Sequence, residues 1–357
     1  MTVSHILVTG AFGQVGTAVV AALSEQGHAV TATDLGNAAN RRREAAMTDL
    51  PGVQVYWADL TNTADVDRML QAVAPSTVVH LAAIIPPFCY ARRELARVVN
   101  VDATAHLITA VSAMPTPARF VLASSVAVYG ARNPHCADDL LTVRTPRRPS
   151  DVYGSHKVMA EDSLMSSGLD WVVLRLGGVL TAQPRWRIDP EMVAFEALLP
   201  TDGRIHTVDV RDVAAAFASA ATTSVSSEVF LIGGDATHRT TQGAISADIT
   251  AAMGLRGGLP PRRPGDPRNS QEWFATDWMD TAASQNVLGF QRHSLPDMFA
   301  ELRRTVGWRR WPLQLVAPLS RAYLSWRAPY RGIDGSYAQP WHAISKRWGD
   351  PRPDTIE

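Results

Sequence analysis

The sequence has few cysteines, almost no lysine and no net charge. Of its 357 residues only two are cysteine, Cys89 and Cys136. This excludes a disulfide framework and a cysteine-rich metal site, and it fits a reducing compartment. The formal net charge is zero, so global charge gives no argument for nucleic acid binding. Lysine fills two of the 34 basic positions, Lys157 and Lys346, and arginine fills the others.

The sequence also lacks a long apolar run. No uninterrupted apolar stretch reaches membrane-spanning length, so we expect no integral membrane segment. The first residues contain no basic start followed by an apolar stretch, so we expect no signal peptide. We therefore expect a cytoplasmic protein whose length allows one large domain or two modest ones.

The N-terminal stretch combines a strand, a glycine turn and a helix. The apolar run Val3–Thr9 is followed by Gly10, Gly13 and Gly16 and then by apolar residues at helical spacing. Glycines let the backbone of such a turn approach a ligand closely, and the helix N-terminus offers N–H groups to a pyrophosphate. A second strand ends in Asp34, where a carboxylate can bind ribose hydroxyls. A plain strand-to-helix turn is the alternative, but this context favours a dinucleotide site.

Strand and helix patterns alternate through the first half of the chain. The predicted strands are Val3–Thr9, Ala29–Thr33, Val53–Ala58, Thr77–Leu81, Arg119–Ser124, Trp171–Arg175, Ile205–Val208 and Glu228–Ile232. The alternation predicts an α/β fold, a Rossmann-type doubly wound parallel sheet that binds ligands beyond the C-terminal ends of its strands. The residues expected to surround one crevice there are Gly10, Asp34, Asp59, Ala82 and Ser125.

We expect three parts in the chain. Residues 1–177 form an NAD(P)-binding domain, to which the 208–232 region returns. Residues 178–307 form a smaller, mainly substrate-binding part, and residues 308–357 form a tail rich in tryptophan and arginine.

Tyr153 and Lys157 are four residues apart on a predicted helix, so their side chains share one face. A tyrosine with an ordinary pKa near ~10 is a poor acid or base at neutral pH, and a nearby ammonium lowers that pKa. Only about 0.04 such pairs are expected by chance from seven tyrosines and two lysines. The pair therefore predicts an acid–base device for an alcohol/carbonyl couple. Ser124 or Ser125, at the end of the fifth strand, could orient the reacting oxygen or could be only a turn residue.

Several motifs together resemble the extended short-chain dehydrogenase/reductases, the NAD-dependent epimerase/dehydratase group. They are Gly10-x-x-Gly13-x-x-Gly16, Asp59-Leu60, His80-Leu81-Ala82-Ala83, Asn100-Val101, Ser124-Ser125-x-x-Val128-Tyr129-Gly130 and Tyr153-x-x-x-Lys157. The resemblance covers roughly residues 3 to 305 and leaves the tail beyond Trp308 outside.

The resemblance implies a role for each of these positions. Tyr153 would be the acid–base, Lys157 its pKa partner and ribose anchor, and Ser125 the group that polarises the substrate oxygen. Asn100 would support the proton path or the active-site helix. Asp34 would bind the adenosine ribose and favour NAD, although the arginines at 41–43 leave NADP open. The implied cofactor-binding residues are Gly10, Phe12, Gly13, Gln14, Val15, Gly16, Asp34, Asp59, Leu60, Leu81, Ala82, Ala83, Tyr153 and Lys157.

Two segments depart from the family's pattern. Val126 and Ala127 stand where sugar-nucleotide dehydratases carry Asp-Glu, which disfavours dehydratase chemistry. The residues 175–178 read Arg-Leu-Gly-Gly where sugar-nucleotide epimerases carry Arg-Tyr-Phe-Asn, so the amide that helps to hold the diphosphate is missing. The loop Thr181–Arg204 is also short for a nucleotide sugar.

These features favour an NAD(P)-dependent oxidoreductase that interconverts a secondary alcohol and a carbonyl on a small, fairly apolar substrate. The pocket would be closed by the Phe88 region, the Thr181–Pro190 loop and part of the tryptophan-rich C-terminal half. An NAD-dependent sugar or sugar-nucleotide epimerase with tightly bound cofactor is the second hypothesis, and a non-catalytic dinucleotide-binding sensor is the third. The resemblance also implies a homodimer that pairs through two long helices, Arg92–Met114 and Asp151–Ser167.

The tail is unusual in composition. Seven of the ten tryptophans lie after residue 270, and the stretch Trp308–Arg331 contains five arginines and no acidic residue. This pattern fits a basic amphipathic segment on a membrane surface or on an anionic substrate. It also fits a helix that packs on the body through its aromatic residues and leaves its arginines in water. We favour the second interpretation.

Overall fold

The computed structural model describes residues 4–184, 189–326, 328, 330 and 334–355. Its strands are β1 His5–Thr9, β2 Ala29–Asp34, β3 Val53–Trp57, β4 Thr77–His80, β5 Arg119–Ser125, β6 Trp171–Leu176, β7 Gly178–Leu180, β8 Arg204–Asp209, β9 Glu228–Ile232 and β10 Arg239–Thr241. Seven of them form a sheet in the order β3-β2-β1-β4-β5-β6-β9, and every neighbouring pair in it is parallel. The other three form a smaller sheet in the order β10-β8-β7.

Helices cover both faces of the seven-stranded sheet. Because side chains alternate along a strand, Ile6 and Val8 of β1 pack on one side and Leu7 packs on the other. The first side is covered by α1 and α10, and the second by α4, α7 and α8. The helices are α1 Gln14–Glu25, α2 Ala38–Arg41, α3 Glu44–Thr48, α4 Thr63–Val73, α5 Phe88–Ala91, α6 Arg93–Arg97, α7 Ala103–Ser112, α8 Val152–Met165, α9 Pro190–Leu198, α10 Val210–Thr222, α11 Gln242–Met253, α12 Ala282–Leu288, α13 Leu295–Val306, α14 Arg310–Trp326 and α15 Pro340–Trp348.

This architecture confirms the predicted Rossmann-type doubly wound sheet. The predicted strands are present, and they differ from the observed ones only at their ends. The long helix predicted over Arg92–Met114 is instead divided into α6 and α7 by a π-helical turn, Val98–Asp102. That turn contains Asn100, whose buried side chain bonds to the backbone of Ile84, a contact that no local pattern reveals.

Four of the described helices have no counterpart in the sequence predictions. These are α5, α9, α11 and α15. Pro190, predicted as the end of a loop, is the first residue of α9, and Asp189 caps it through its side chain. Residues 185–188 of the predicted loop lie outside the described residues.

The C-terminal residues lie across α8, the helix that carries Tyr153 and Lys157. The Pro351 carbonyl accepts a hydrogen bond from Val152 N at 2.8 Å, and Asp354 N donates to Ser155 Oγ at 3.0 Å. Just before this segment, α15 packs on α5 and α9. The end of the chain therefore covers the start of α8.

The interpretation that the tail's aromatic residues pack on the body is wrong for α14 and for the turn that precedes it. Trp308, Trp311 and Trp326 are 73%, 80% and 64% exposed, whereas Trp348 is only 8% exposed. The side of α14 that faces the body is formed mainly by Leu313 and Ala317, which leaves the larger aromatic residues outside. None of the helices in the described ranges has the length and hydropathy needed to cross a membrane.

Candidate active site

The glycine turn after β1 brings backbone from two strands into close contact. Gly10 has a φ of 64°, and a Cβ atom there would lie 2.8 Å from Ala82 N. A Cβ atom on Gly16 would lie 2.2 Å from the Gly10 carbonyl oxygen. No side chain caps the N-terminus of α1. The turn therefore forms a side-chain-free cradle at a helix N-terminus, a shape that fits a pyrophosphate.

Asp34, at the end of β2, lies beside this turn. Its Oδ2 accepts a hydrogen bond from Phe12 N at 3.1 Å, and its Oδ1 accepts one from Leu35 N at 2.8 Å. The Phe12 ring stacks on Trp57, with 5.0 Å between the ring centroids. Arg43 donates to the Phe12 carbonyl at 2.6 Å. The half-buried Asp34 carboxylate thus lies within reach of a ribose bound over the turn, with an arginine in the same corner.

The other predicted cofactor residues lie at the same edge of the sheet. Asp59 follows β3, and its Oδ1 accepts from Thr61 N and Thr61 Oγ1, so this carboxylate orders the turn in which Leu60 lies. Leu81, Ala82 and Ala83 follow β4 and are half-buried. Gln14 is exposed and Val15 half-buried in the first turn of α1. The structure therefore brings these residues to the C-terminal ends of neighbouring strands.

Asn100 lies behind this edge rather than in the crevice. Its Oδ1 accepts from Ile84 N at 2.7 Å, and its Nδ2 donates to the Ile84 carbonyl at 2.9 Å. Both functions of the amide are therefore used to fix the segment after β4. The geometry makes Asn100 a positioning residue for that segment.

Tyr153, Lys157 and Ser125 meet at the end of β5. Tyr153 is half-buried on α8, and the Ser125 hydroxyl lies close enough to its phenol to lower the phenol's pKa. Lys157 is buried, and its Nζ lies 5.8 Å from the centroid of the Tyr153 ring. The three residues that the sequence pairs with alcohol/carbonyl chemistry are therefore neighbours.

The prediction that Lys157 makes Tyr153 more acidic is wrong for this structure. Burial raises the pKa of Tyr153, Cys89 and Asp151 raise it further, and only the nearby Ser125 hydroxyl lowers it. The reason is geometric, because Lys157 Nζ donates to the Ala123 carbonyl at 2.8 Å. Burial lowers the pKa of Lys157 itself to about 8, against the opposing effect of Glu161. The phenol is therefore in its protonated form at neutral pH.

A buried ionic network behind the site escaped the sequence analysis. Ser124 Oγ donates to Glu161 Oε1 at 2.5 Å, and Arg175 donates to the same carboxylate through Nε at 2.9 Å and Nη2 at 2.6 Å. The network ties β5, β6 and α8 together directly behind Lys157. Its signal in the sequence is the spacing of four that runs from Tyr153 through Lys157 to Glu161.

A second missed pair lies at the start of α8. Tyr90 donates to Asp151 Oδ2 at 2.5 Å, and Asp151 Oδ1 accepts from Gly154 N at 2.8 Å. Burial raises the pKa of Asp151 to about 6, although both hydrogen bonds oppose that shift. This pair anchors the turn of helix that contains Tyr153.

Aromatic side chains border Tyr153 on the side away from the sheet. Tyr153 packs on a cluster that includes Cys89 and Phe195. The Phe195 ring lies 5.5 Å from that of Phe274 and 5.9 Å from that of Trp348, measured between centroids. These rings come from α9, from the segment before α12 and from α15. The C-terminal half thus supplies an apolar wall next to the proposed acid–base.

The described residues contain no group of three or more His, Cys, Asp or Glu side chains arranged to hold a metal ion.

A parallel doubly wound sheet with a glycine turn, an acidic residue at the end of β2 and a tyrosine–lysine pair after β5 defines a class of dinucleotide-dependent enzymes. The model of the NAD dependent epimerase/dehydratase family matches residues 6–233. The chain belongs to this family, as the motifs predicted.

Curated relatives match over part of the chain. A UDP-glucose 4-epimerase of Azospirillum brasilense is 30% identical over 199 residues, which are 51% of this chain and 51% of that protein. A dTDP-glucose 4,6-dehydratase of Neisseria gonorrhoeae is 31% identical over 169 residues, 44% of this chain and 48% of that protein. The chain spans about half the length of the curated relatives it matches.

A solved structure matches over most of the chain. The UDP-glucose 4-epimerase of Thermus thermophilus, in complex with NAD, superposes with a TM-score of 0.67 at 22% identity. The match covers 85% of this chain and 98% of that one. At this identity the likeness shows the shared fold.

Proposed function

We propose that this protein is an NAD-dependent oxidoreductase that interconverts a secondary alcohol and a carbonyl, with Tyr153 as its acid–base. The observation that carries the proposal is that the Tyr153 phenol and the Ser125 hydroxyl lie together at the end of β5, at the same edge of the sheet as the glycine turn. A phenol and an alcohol that converge on one point can hold and protonate a single substrate oxygen. The family to which the chain belongs gives the proposal its cofactor class.

The residues present fit a dinucleotide. The cradle at Gly10, Gly13 and Gly16 would hold the pyrophosphate, and the Asp34 carboxylate would accept hydrogen bonds from the adenosine ribose. The same carboxylate would repel a 2′-phosphate, so NAD is the proposed cofactor and NADP the weaker one. Lys157 would donate to the nicotinamide ribose. When bound, the nicotinamide supplies a site for reversible hydride transfer.

The protonation state of Tyr153 favours one direction of the alcohol/carbonyl reaction at neutral pH. Because the pKa of Tyr153 is raised, its hydroxyl carries a proton that it can donate to a carbonyl oxygen. Ser125 Oγ would donate a second hydrogen bond to that oxygen and fix its position. Carbonyl reduction is therefore the proposed direction at neutral pH, and alcohol oxidation requires a higher pH.

The proposed substrate is small and fairly apolar. The cluster that contains Phe195 packs against Tyr153, and the half-buried Phe274 packs against the same cluster. These aromatic side chains offer area to an apolar body but no partner for a diphosphate. We propose that residues 1–177 bind the cofactor and that residues 178–307, with α15, shape the substrate pocket.

A second candidate is a nucleotide-sugar 4-epimerase that keeps its cofactor. The matches to UDP-sugar 4-epimerases support it. Such an enzyme would return the hydride to the opposite face of the same substrate and show no net redox turnover. A dinucleotide-binding sensor remains the third candidate, and it would not depend on the Tyr153 hydroxyl.

One set of assays separates these candidates. The purified chain is incubated with NADH or NADPH and a panel of apolar and aromatic ketones, and absorbance at 340 nm is followed. In parallel it is given UDP-glucose or UDP-galactose, and the 4-epimer is measured. We expect ketone-dependent NADH oxidation that Tyr153→Phe abolishes. Epimer formation without net NADH oxidation would select the second candidate, and nucleotide binding with neither activity would select the third.

We further propose a homodimer that pairs through α7, α8 and the flanking α6. In the described part of the chain, the C-terminal residues contact the start of α8 and, through Arg93 and Arg97, α6. Leu95 and Val98 on the neighbouring elements remain 44% and 38% exposed. Light scattering on the eluting protein should give twice the chain mass, and Val98→Glu should give the monomer mass. A wild-type monomer at micromolar concentration would contradict this pairing.

A further inference from the structure

Helix α14 has two apolar sides, and only the narrow one packs on the body. Leu313 packs on the cluster formed by Ala252, Leu302 and Val306, and Ala317 is buried. Gln314 Nε2 donates to the Arg256 carbonyl at 3.2 Å, which fixes the rotation of the helix. The helix is thus held in one orientation, and its opposite side points away from the protein.

That opposite side carries a row of large apolar residues, the tryptophan stripe. It consists of Trp311, Leu315, Leu319, Tyr323 and Trp326 on α14 and of Trp308 in the 3-10 turn Gly307–Arg309 that leads into the helix. Successive members are three or four residues apart, the spacing of one helix face. They are between 54% and 82% exposed. A continuous exposed row of this kind marks an interaction surface, because isolated apolar residues are normal on a surface and contiguous ones are not.

The charge around the tryptophan stripe has one sign. Residues 302–333 contain seven arginines and no acidic residue, so the rest of this neutral chain carries a net charge of −7. Among the arginines, Arg303, Arg304, Arg309 and Arg321 are exposed. The surface that presents the stripe is therefore complementary to an anionic partner.

We propose that the tryptophan stripe docks on the surface of an anionic lipid bilayer, with α14 lying in the plane of the interface. Tryptophan and tyrosine are suited to the membrane–water interface because their rings are apolar and their N–H and O–H groups meet the lipid headgroups. Arginines that flank an apolar helix face attract anionic headgroups. Two copies of the chain that met through the stripe would bring arginine-rich, acid-free segments together, which repulsion opposes. The proposal does not depend on the enzyme activity proposed above.

Vesicle binding by the full chain tests the proposal. The protein is sedimented with phosphatidylcholine vesicles that contain or lack phosphatidylglycerol, at low and high salt. We expect binding to the anionic vesicles to exceed binding to the neutral ones by at least about tenfold and to weaken with salt, because screening shortens the reach of the arginines. Brominated lipid in the anionic vesicles should quench part of the tryptophan fluorescence.

Two variants distinguish an effect of the tryptophan stripe from an effect of exposed apolar residues elsewhere on the surface. Trp311→Ser with Leu315→Ser should reduce anionic vesicle binding by at least about tenfold, because the membrane contact loses apolar area. Val143→Ser with Val287→Ser, at positions 48% and 46% exposed, should leave binding unchanged. Circular dichroism and melting temperature confirm that both variants are folded.

Three results overturn the proposal. The first is no sedimentation with anionic vesicles, and the second is equal binding to neutral vesicles at all salt concentrations. The third is unchanged binding of the folded stripe variant. If the wild type binds no vesicles and is a dimer that the stripe variant converts to monomers, the stripe is instead a contact between copies of the chain.

Discussion

His156 Nε2 and Asp354 Oδ2 are joined by a hydrogen bond of 2.9 Å that connects residues 198 positions apart. His156 lies on α8 between Tyr153 and Lys157, and its side chain is fully buried. Arg93 and Arg97, the first and last residues of α6, also bind the Asp354 carboxylate. One carboxylate near the C-terminus therefore holds the helix of the proposed acid–base against the helix that precedes the π-turn.

Replacing Asp354 should loosen this junction. In Asp354→Asn the two arginines and His156 lose a charged acceptor, and we expect a loss of about 1–3 kcal/mol in the free energy of unfolding. Urea unfolding followed by circular dichroism measures it. Asp350→Asn is the matched control, because Asp350 forms a local, solvent-exposed pair with Arg352 and should change the midpoint little. Equal destabilisation by both variants would contradict the role assigned to Asp354.

Acid should weaken the same junction through His156. Burial lowers the pKa of His156, although Asp354 opposes that shift, and Nδ1 is buried without a hydrogen-bond partner in the described structure. The imidazole is therefore neutral, with Nε2 donating to Asp354. A base with a lowered folded pKa stabilises the fold above its unfolded pKa of about 6.5 and loses that contribution as the pH falls.

The melting temperature should therefore fall between pH 7.5 and pH 5.5, and it should fall less in His156→Gln. His80 and His206, whose pKa values burial lowers to about 3 and about 4, act in the same direction and leave a residual slope in the variant. An identical slope in wild type and variant would show that His156 does not contribute.

The Tyr153 hydroxyl should control turnover and its pH dependence. We expect Tyr153→Phe to lower kcat by about 10²–10⁴-fold, the range for loss of a positioned acid or base, while the Kd of NAD changes little. Because the pKa of Tyr153 is raised, the rate of alcohol oxidation by the wild type should still rise at a pH above the ordinary pKa of a tyrosine. The rate of carbonyl reduction should not rise with pH. Oxidation that is already maximal at neutral pH would contradict the raised pKa.

The buried network at Glu161 should be costly to break. Glu161→Gln leaves Arg175 buried without a counter-charge, and a loss of about 3–5 kcal/mol is expected for breaking such a pair. Unfolding in urea measures the loss. Asp170→Asn is a control that removes the more exposed acidic partner of Arg119 at the other end of the sheet, and it should cost much less. A folded Glu161→Gln protein with wild-type stability would contradict the assigned role of the network.

The parts of the site that could be predicted are those whose chemistry is local in sequence. The glycine turn and the Tyr153–Lys157 spacing each lie within a few residues of one strand or helix, and Asp34 ends the next strand. The pKa of Tyr153 could not be predicted, because it is raised mainly by burial and then by Cys89, and both effects arise only after α5 and the C-terminal half pack against α8. The same holds for the exposed face of α14, because periodicity shows two apolar sides and does not tell which one packs.

The glycine turn offers a test in which position, and not residue type, decides the outcome. Gly16→Ala places a Cβ atom 2.2 Å from the Gly10 carbonyl oxygen, whereas Gly13→Ala places one 3.2 Å from the same atom. Both glycines lie at the start of α1, so the two variants add the same methyl group to the same turn. Because rigid backbone must move much further in the first variant, we expect Gly16→Ala to cost about 1–3 kcal/mol, in the range for overpacking.

Gly13→Ala should cost less, since its neighbour needs to shift by only a few tenths of an ångström. Melting temperatures of the two purified variants measure the difference, and NAD titration shows whether the cradle survives. Gly16→Ala should lose NAD affinity together with stability, because the displaced Gly10 carbonyl opens the turn beneath the pyrophosphate. Equal behaviour of the two variants would mean that α1 does not pack on the turn as closely as these distances require.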